Sequence, residues 1–228
     1  MVALNVVMMG PPGAGKGTQA DRFARSRGIP KISTGEILRE AVQAGTELGR
    51  RAKAILERGE LVSDDLMVGI VRERLGRPDT ARGFVLDGFP RTVAQARALD
   101  GLVAGRDPLV VVDLAVAEEE LVRRLTSRKV CGTCGANADP PSDTACRRCG
   151  STFVQRADDR EDVVRERLRV YARDTKPLID FYRDRPTFRS VDGGQAPDVV
   201  AAALASAVDG VAALGAARGD EARQEPSR

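Results

Sequence analysis

The stretch Gly10-Pro11-Pro12-Gly13-Ala14-Gly15-Lys16-Gly17-Thr18 constrains this chain more than any other. Before it, Val2 to Met9 is a mostly apolar run of strand length. After it, Ala20, Phe23 and Ala24 recur with helical spacing. Strand, glycine-rich turn and helix in that order fit G-x-x-x-x-G-K, a loop that cradles phosphate. The glycines let successive backbone N–H groups turn inward on an anion. The helix adds its positive N-terminal dipole, and Lys16 adds a mobile charge for the outer phosphates. The hydroxyl that holds magnesium in such loops normally follows the lysine directly. Here Gly17 follows it, and the hydroxyl comes one place later at Thr18.

A chain of 228 residues can bury a full core, as one domain with insertions or as two small ones. Its net charge of +3 does not by itself suggest nucleic acid, although converging arginines would still hold an anionic substrate. No apolar stretch is long enough to span a membrane. The first apolar run has no basic segment ahead of it and enters the phosphate loop directly, so it does not read as a signal peptide. A cytoplasmic, reducing location is therefore expected, and there the four cysteines are metal ligands rather than disulfides. With no histidine in the chain, a general base or metal ligand has to be a carboxylate, a thiolate or an amine.

Periodicity and punctuation place the other elements. Ile29 to Ser33 reads as a second strand running into the polar turn Ser33-Thr34-Gly35. Helices are predicted over 36–44, 49–58 and 64–75, the last capped by Ser63. Gly83 to Asp87 is a third strand, apolar until its final residue. Ligands of open α/β sheets lie beyond the carboxyl ends of the strands, so Asp87 faces the same edge as the phosphate loop, suitably placed to order magnesium. Thr92-Val93-Ala94-Gln95 has the form of a capping box at a helix start. Leu109 to Leu114 is a buried fourth strand, followed by a helix over 117–127 whose first turn carries Glu118, Glu119 and Glu120. A fifth strand covers 187–191, and an alanine- and valine-rich helix covers 198–214. Residues 215–228 show no apolar periodicity and read as a disordered tail. Strands alternating with helices give an α/β fold, a five-stranded parallel sheet with flanking helices.

Cys131-Gly-Thr-Cys134 and Cys146-Arg-Arg-Cys149 supply four thiolates in two matched knuckles. That spacing fits a closed tetrahedral zinc site, structural rather than catalytic. The loop between them, including Pro140, Pro141, Ser142 and Asp143, has too little apolar content to fold alone, and a metal would supply the missing stability. An insertion pinned by a metal, with arginines at its hinges, suits a mobile lid over a phosphate substrate.

Three motifs in this order resemble the adenylate kinase family: Gly10 to Thr18; Ser33-Thr34-Gly35 with Arg39; and Asp87-Gly88-Phe89-Pro90-Arg91. Arg124 and Arg128 before the insertion, Arg156 with Asp158-Asp159 after it, and Arg167 extend the resemblance over nearly all of 1–214. The cysteine insertion is similar to the zinc-containing lid of the long bacterial forms. The resemblance implies a P-loop nucleoside monophosphate kinase fold in which 1–33, 63–128 and 158–214 form a core. Residues 34–62 form a helical AMP-binding insertion, and 129–157 a small zinc-ribbon-like lid. It implies reversible transfer of the γ-phosphoryl group of Mg-ATP to AMP, giving two ADP, by a monomer that binds neither nucleic acid nor membrane.

The same resemblance implies residue roles. Gly13, Ala14, Gly15, Lys16, Gly17 and Thr18 hold the ATP phosphates, with Arg124, Arg128 and Gln195 also on the ATP side. Thr34, Arg39, Gly88, Arg91 and Gln95 bind AMP, joined by Arg156 and Arg167. Lys16, Arg91, Arg128, Arg156 and Arg167 carry the transfer, and Asp87 orders the waters of Mg2+. Read as residues alone, Arg124 is also an i,i+4 partner for Glu120, Arg167 sits in what looks like a solvated helix face, and Gln95 is also a helix cap. The lid departs from the family pattern: it is short between the cysteine pairs, and Gly135-Ala136-Asn137-Ala138 stands where an aromatic or histidine-bearing stretch is common. Two rival readings remain at this point. One is a pyrimidine nucleoside monophosphate kinase; the other is a zinc-ribbon nucleic-acid-binding protein with a regulatory nucleotide site.

Overall fold

Alternation along the first strand decides how the molecule is layered. In β1 (Leu4–Met9) every residue after Leu4 is buried, so both faces of the strand are covered. Val7 and Met9 enter one hydrophobic cluster, and Val6 and Met8 enter another on the opposite face of the sheet. The computed structural model describes residues 3–138 and 144–224. Side chains of 157 and 214–224 are not described.

The core sheet is parallel, in the order β2 (Lys31–Ser33), β3 (Gly83–Asp87), β1, β4 (Leu109–Ala115), β7 (Phe188–Asp192). The lid strands β5 (Val130–Cys131) and β6 (Phe153–Val154) pair separately as an antiparallel hairpin. Helix α1 (Lys16–Arg27) and the last helix α9 (Pro197–Gln224) cover one face. There Phe23 packs with Val85, Val110, Leu204 and Val208. Helices α4 (Asp64–Leu75), α5 (Val93–Leu102) and α8 (Pro177–Tyr182) cover the other, where Val71, Leu99 and Leu178 meet Phe84 and Val111. Each such side chain, taken fully out of water, contributes roughly 1.5–3 kcal/mol before the entropy of ordering is subtracted.

Register brings the chemistry to one edge. Met8 lies beside Asp87 of β3, Ser33 of β2 also lies beside Asp87, and Met9 lies beside Asp113 of β4. The loop after β1 therefore leaves the sheet between two carboxylates, Asp87 at the end of β3 and Asp113 within β4.

The structure differs from the sequence reading in several places. Helix α2 (Thr34–Gln43) begins directly after β2, so Thr34 and Gly35 are its first turn rather than a separate polar turn. Helix α3 (Glu47–Glu57) starts before Gly49, because Thr46 caps it by accepting from the Gly49 N–H at 3.1 Å. Ser63 precedes α4, but its side chain makes no capping bond. Helix α6 (Glu118–Ser127) has the expected acidic first turn. Helix α7 (Glu161–Val170) runs into a π-helical turn, Tyr171–Thr175, before α8. Helix α9 continues past the predicted boundary at 214 to Gln224. Residues 225–228, like Pro140 to Asp143 of the lid loop, lie outside the described residues.

Candidate active site

The phosphate loop curls as its glycines allow. Gly13 and Gly15 have φ of 87° and 89°, and Gly15 is the N-cap of α1. The loop opens on the helix's positive end, with Ala14 N–H closing a turn onto Pro11 O at 3.1 Å. Lys16 folds back over the loop, donating to Gly10 O at 2.7 Å and Pro11 O at 2.8 Å. Burial pushes its ammonium down to about 8; Asp87 opposes this, while Arg91, Arg167 and Arg128 add to it. Such a lysine is held among cations until an anion arrives.

Asp87 accepts from Ser33 Oγ at 3.1 Å. A Cβ on Gly17 would lie 3.4 Å from its Oδ2, so the missing side chain after the lysine leaves space in front of this carboxylate. Oxygen donors beside a phosphate loop are the set that Mg2+ prefers. Asp87 fits a magnesium ion held partly through its own waters, with Thr18 in the first turn of α1. Thr18 also touches the lid, since Asn137 Nδ2 reaches its Oγ1 at 3.4 Å.

The part of the cleft around Gly88 is built from buried polar groups. Gly88, with φ of 80°, turns the chain after β3, and a Cβ there would meet Thr34 Oγ1 and Arg91 Nη2, each at 3.0 Å. Thr34 Oγ1 donates to Gly88 O at 2.8 Å, and Arg91 Nε donates to the same carbonyl at 2.9 Å. The π-helical turn lets Thr175 Oγ1 donate to Arg91 O at 2.8 Å and brings Tyr171 to the cleft wall. Gln95 departs from the capping box in part. Thr92 Oγ1 accepts from its N–H at 3.1 Å, but its side chain reaches back to Arg91 N at 2.8 Å, not to Thr92. It lines the cleft as well, so cap and cleft wall are one residue. Arg39 rises from α2 beside Gly35, whose missing Cβ would lie 3.2 Å from the guanidinium.

Of the arginines flanking the cysteine segment, Arg167 lines the same cleft, while Arg128 and Arg156 lie near enough for their charges to act on Lys16, Arg39 and one another. Arg128 forks onto the fully buried Asp159, its Nε donating at 2.8 Å. Arg167 points inward, donating to Asp158 O at 2.8 Å and Asp159 Oδ1 at 3.0 Å. Its neighbours Arg165 and Arg169 pair with Glu161 and Glu166 at the surface, so the solvated-face reading holds for them and fails for Arg167. Burial, then Arg128 and Arg39, lower Arg156 to about 10. Burial and Arg167 likewise lower Arg91. Burial would raise Asp158, but Arg167, Arg128 and Arg156 outweigh it and hold it low. Arg124 is the i,i+4 partner of Glu120 and also reaches the loop after β7. It pairs with Glu120 at 2.6 Å and donates to Gly193 O at 3.0 Å, beside Gln195, which is itself tied to Asp192 at 2.8 Å.

The four cysteines are free thiols whose sulfurs lie within 4.8 Å of one another. Tetrahedral zinc with bonds near 2.3 Å needs sulfurs about 3.8 Å apart. Cys131 to Cys149 is 3.4 Å and Cys134 to Cys146 is 3.5 Å, so the set fits that ion with small movement. Backbone N–H groups of Cys134 and Arg148 point at the sulfurs of Cys131 and Cys146, and the Arg148 N–H helps hold the Cys146 thiol below its ordinary range.

Sequence reasoning missed Asp64, which accepts from Thr92 and Gln95, and Asp113, a carboxyl whose pKa burial raises while Lys16 holds it down. It also missed Tyr171, whose phenol is pushed up by burial and by Asp113. No motif marks these residues; the start of α4, the body of β4 and the π-helical turn bring them to the site.

Residues 8–187 match the family described as Adenylate kinase. The chain is 51% identical over 197 residues to an adenylate kinase of Archaeoglobus fulgidus, covering 83% of this chain and 91% of that protein. An adenylate kinase of Kosmotoga olearia is 49% identical over 197 residues, 83% of this chain and 92% of its own. One of Moorella thermoacetica is 46% identical over 212 residues, 90% and 98% of the two chains.

Proposed function

The chain belongs to the adenylate kinase family, and from that premise we propose the following division of labour for reversible transfer of the γ-phosphoryl group of Mg-ATP to AMP. The loop over 13–18 holds the ATP phosphates. Lys16 leaves its two carbonyl partners to neutralise the group in transit. Arg39 and Arg91 hold the AMP phosphate, and Thr34, Gly88 and Gln95 meet the rest of AMP. Arg128, Arg156 and Arg167 surround the migrating phosphoryl, and Arg124 with Gln195 lies by the donor base. Mg2+, when bound in front of Asp87, neutralises donor phosphate charge and fixes its orientation.

One observation carries this reading. Lys16 of the phosphate loop and Thr34, Arg39, Arg91, Gln95 and Arg167 line a single cleft. Phosphoryl transfer asks for two anions held in line and neutralised, with little covalent help. Forked guanidiniums suit that task because they grip oxygens in pairs and stay charged. The AMP phosphate is already an ionised nucleophile, so the lack of histidine is no handicap. Excluding water matters more, and we assign that to closure of the 34–62 insertion and the 129–157 lid, hinged on the 1–33, 63–128 and 158–214 core. A structural zinc on the four cysteines gives the lid its fold. The enzyme acts as a monomer, and a cytoplasmic location suits its four free thiols.

The deciding experiment offers AMP, CMP, UMP and GMP as acceptors with Mg-ATP. AMP is expected to be strongly preferred. Transfer to UMP with none to AMP would overturn the reading in favour of a pyrimidine enzyme. Salt-sensitive binding to nucleic acid without any transfer would favour the zinc-ribbon alternative.

A further inference from the structure

The acceptor end of the cleft contains a closed ring of hydrogen bonds that a helix cap alone would not need. Gln95 is only 1% exposed. Its Oε1 accepts from Arg91 N–H at 2.8 Å, and its Nε2 donates to Asp64 Oδ1 at 2.7 Å. Asp64 Oδ2 accepts from Thr92 Oγ1 at 2.9 Å, and that same Thr92 oxygen accepts from Gln95 N–H at 3.1 Å. Capping of α5 is complete with the Thr92 bond. Asp64, from the start of α4, is additional.

The chemistry of the ring fixes its sense. A backbone N–H can only donate, and a carboxylate can only accept. The amide oxygen must therefore face Arg91 and the amide nitrogen must face Asp64. A reversed amide would set its oxygen against the carboxylate and its NH2 against an N–H. In this orientation Gln95 retains one N–H and one oxygen lone pair for a ligand, in a set order. Adenine and guanine differ in that order: at the 6-position adenine offers an N–H donor and guanine an oxygen acceptor. An amide free to turn could serve either base, whereas a pinned one serves only one of them.

We propose that Asp64 is a positioning residue that sets purine selectivity at the acceptor site by pinning the Gln95 amide in one orientation. This rests on the reading of Gln95 as a contact to the acceptor base. Asp64 does not touch the substrate; it acts through Gln95 and is steadied by Thr92.

The test compares kcat/KM for AMP and GMP, at saturating Mg-ATP, in the full-length protein and its variants. Asparagine in Asp64→Asn keeps the shape but can turn either a donor or an acceptor toward Gln95, so a reversed Gln95 amide is opposed only by the Arg91 N–H and no longer by a carboxylate as well. The AMP-to-GMP ratio is expected to fall roughly tenfold, mostly in the two acceptor KM values, with KM for ATP unmoved. Thr92→Ser, which keeps the hydroxyl, is expected to retain the parental ratio. In a Gln95→Ala background Asp64→Asn is expected to leave the ratio where Gln95→Ala put it. An Asp64 that merely stabilises the start of α4 would give another pattern: a lower melting temperature, equal losses for AMP and GMP, and an effect that adds to Gln95→Ala. That pattern overturns the proposal, as does an unchanged ratio in Asp64→Asn when Gln95→Ala alone changes it. If Gln95→Ala alone leaves the ratio unchanged, the assignment of Gln95 to the acceptor base falls first, and the role of Asp64 falls with it.

Discussion

At the acceptor end of the cleft, Thr34, Gln95 and Thr175 are buried, and each spends its polar atoms on a neighbouring backbone or carboxylate group. In the lid, two short strands and four cysteines do the corresponding work, and most of the surrounding residues are exposed. The acceptor pocket is thus shaped by the same core that holds the sheet together, with Leu38, Met67 and Phe89 packed beneath it. Among its described residues the cysteine segment joins neither hydrophobic cluster; its four sulfurs lie together in an arrangement that suits a metal, and arginine–aspartate pairs flank it. In the proposed division of labour, packing suits the end assigned to a base, and charge with a metal pin suits the end assigned to closure.

The strongest challenge to this contrast lies where the two ends meet. Lys16→Ala is expected to lower kcat by roughly a thousandfold, measured by coupled ADP formation, because it removes charge stabilisation from the group in transit. Near-normal turnover would mean the phosphate loop has been misread. Next comes the acceptor end by itself. Arg39→Ala removes one charge-assisted contact and is expected to raise KM for AMP roughly ten- to hundredfold while leaving KM for ATP within about twofold. Equal changes in both constants would erase the division between the ends.

The pH dependence sharpens the picture at the shared lysine. Lys16 in the free enzyme is lowered to about 8, and catalysis needs its charged form. The kcat/KM for ATP should be full below about 8 and fall about tenfold per unit above it. Bound phosphates stabilise the ammonium, so the corresponding limb of kcat should lie at higher pH. The linkage sign is opposite for folding: between about 8 and the ordinary lysine value the unfolded chain binds the extra proton, so this group's contribution to stability rises with pH. The smallest expected effect on turnover is at the lid. Cys131→Ser should lower lid stability and zinc content, read by proteolysis and metal analysis against about one zinc per parental chain, while kcat falls less than tenfold. A metal-free lid as stable as the parent would break the comparison.

The fold was largely legible because its signals are local. An apolar run ending in Asp87 and a glycine-rich turn ending in Lys16 can be read without neighbours. The bounds of β3 and α4 match their sequence reading for that reason. What the residues alone left open depends on contacts that only the folded chain makes. Arg167 has the flanking charges of a surface residue, and only the return of the chain through Asp158 and Asp159 turns it inward. Asp64 is one of two adjacent aspartates at a helix start, indistinguishable by pattern from Asp65. Gln95 posed the question of cap or binding group, and the answer needed Arg91, Thr92 and Asp64 in place around it.

Lys16, Arg39, Arg91, Arg128, Arg156 and Arg167 influence one another's charge, and they outnumber the carboxylates around them, Glu60, Asp87, Asp113, Asp158 and Asp159. The imbalance makes the composition of the surrounding solution part of the enzyme's behaviour. A cleft with surplus cations attracts small dianions before any nucleotide arrives, and sulfate or phosphate in a buffer then acts as a competitor that must be displaced. Added salt acts twice, by screening the approach of both nucleotides and by occupying their phosphate positions. The affinity of this protein for its substrates is therefore a property of the protein and its ionic medium together.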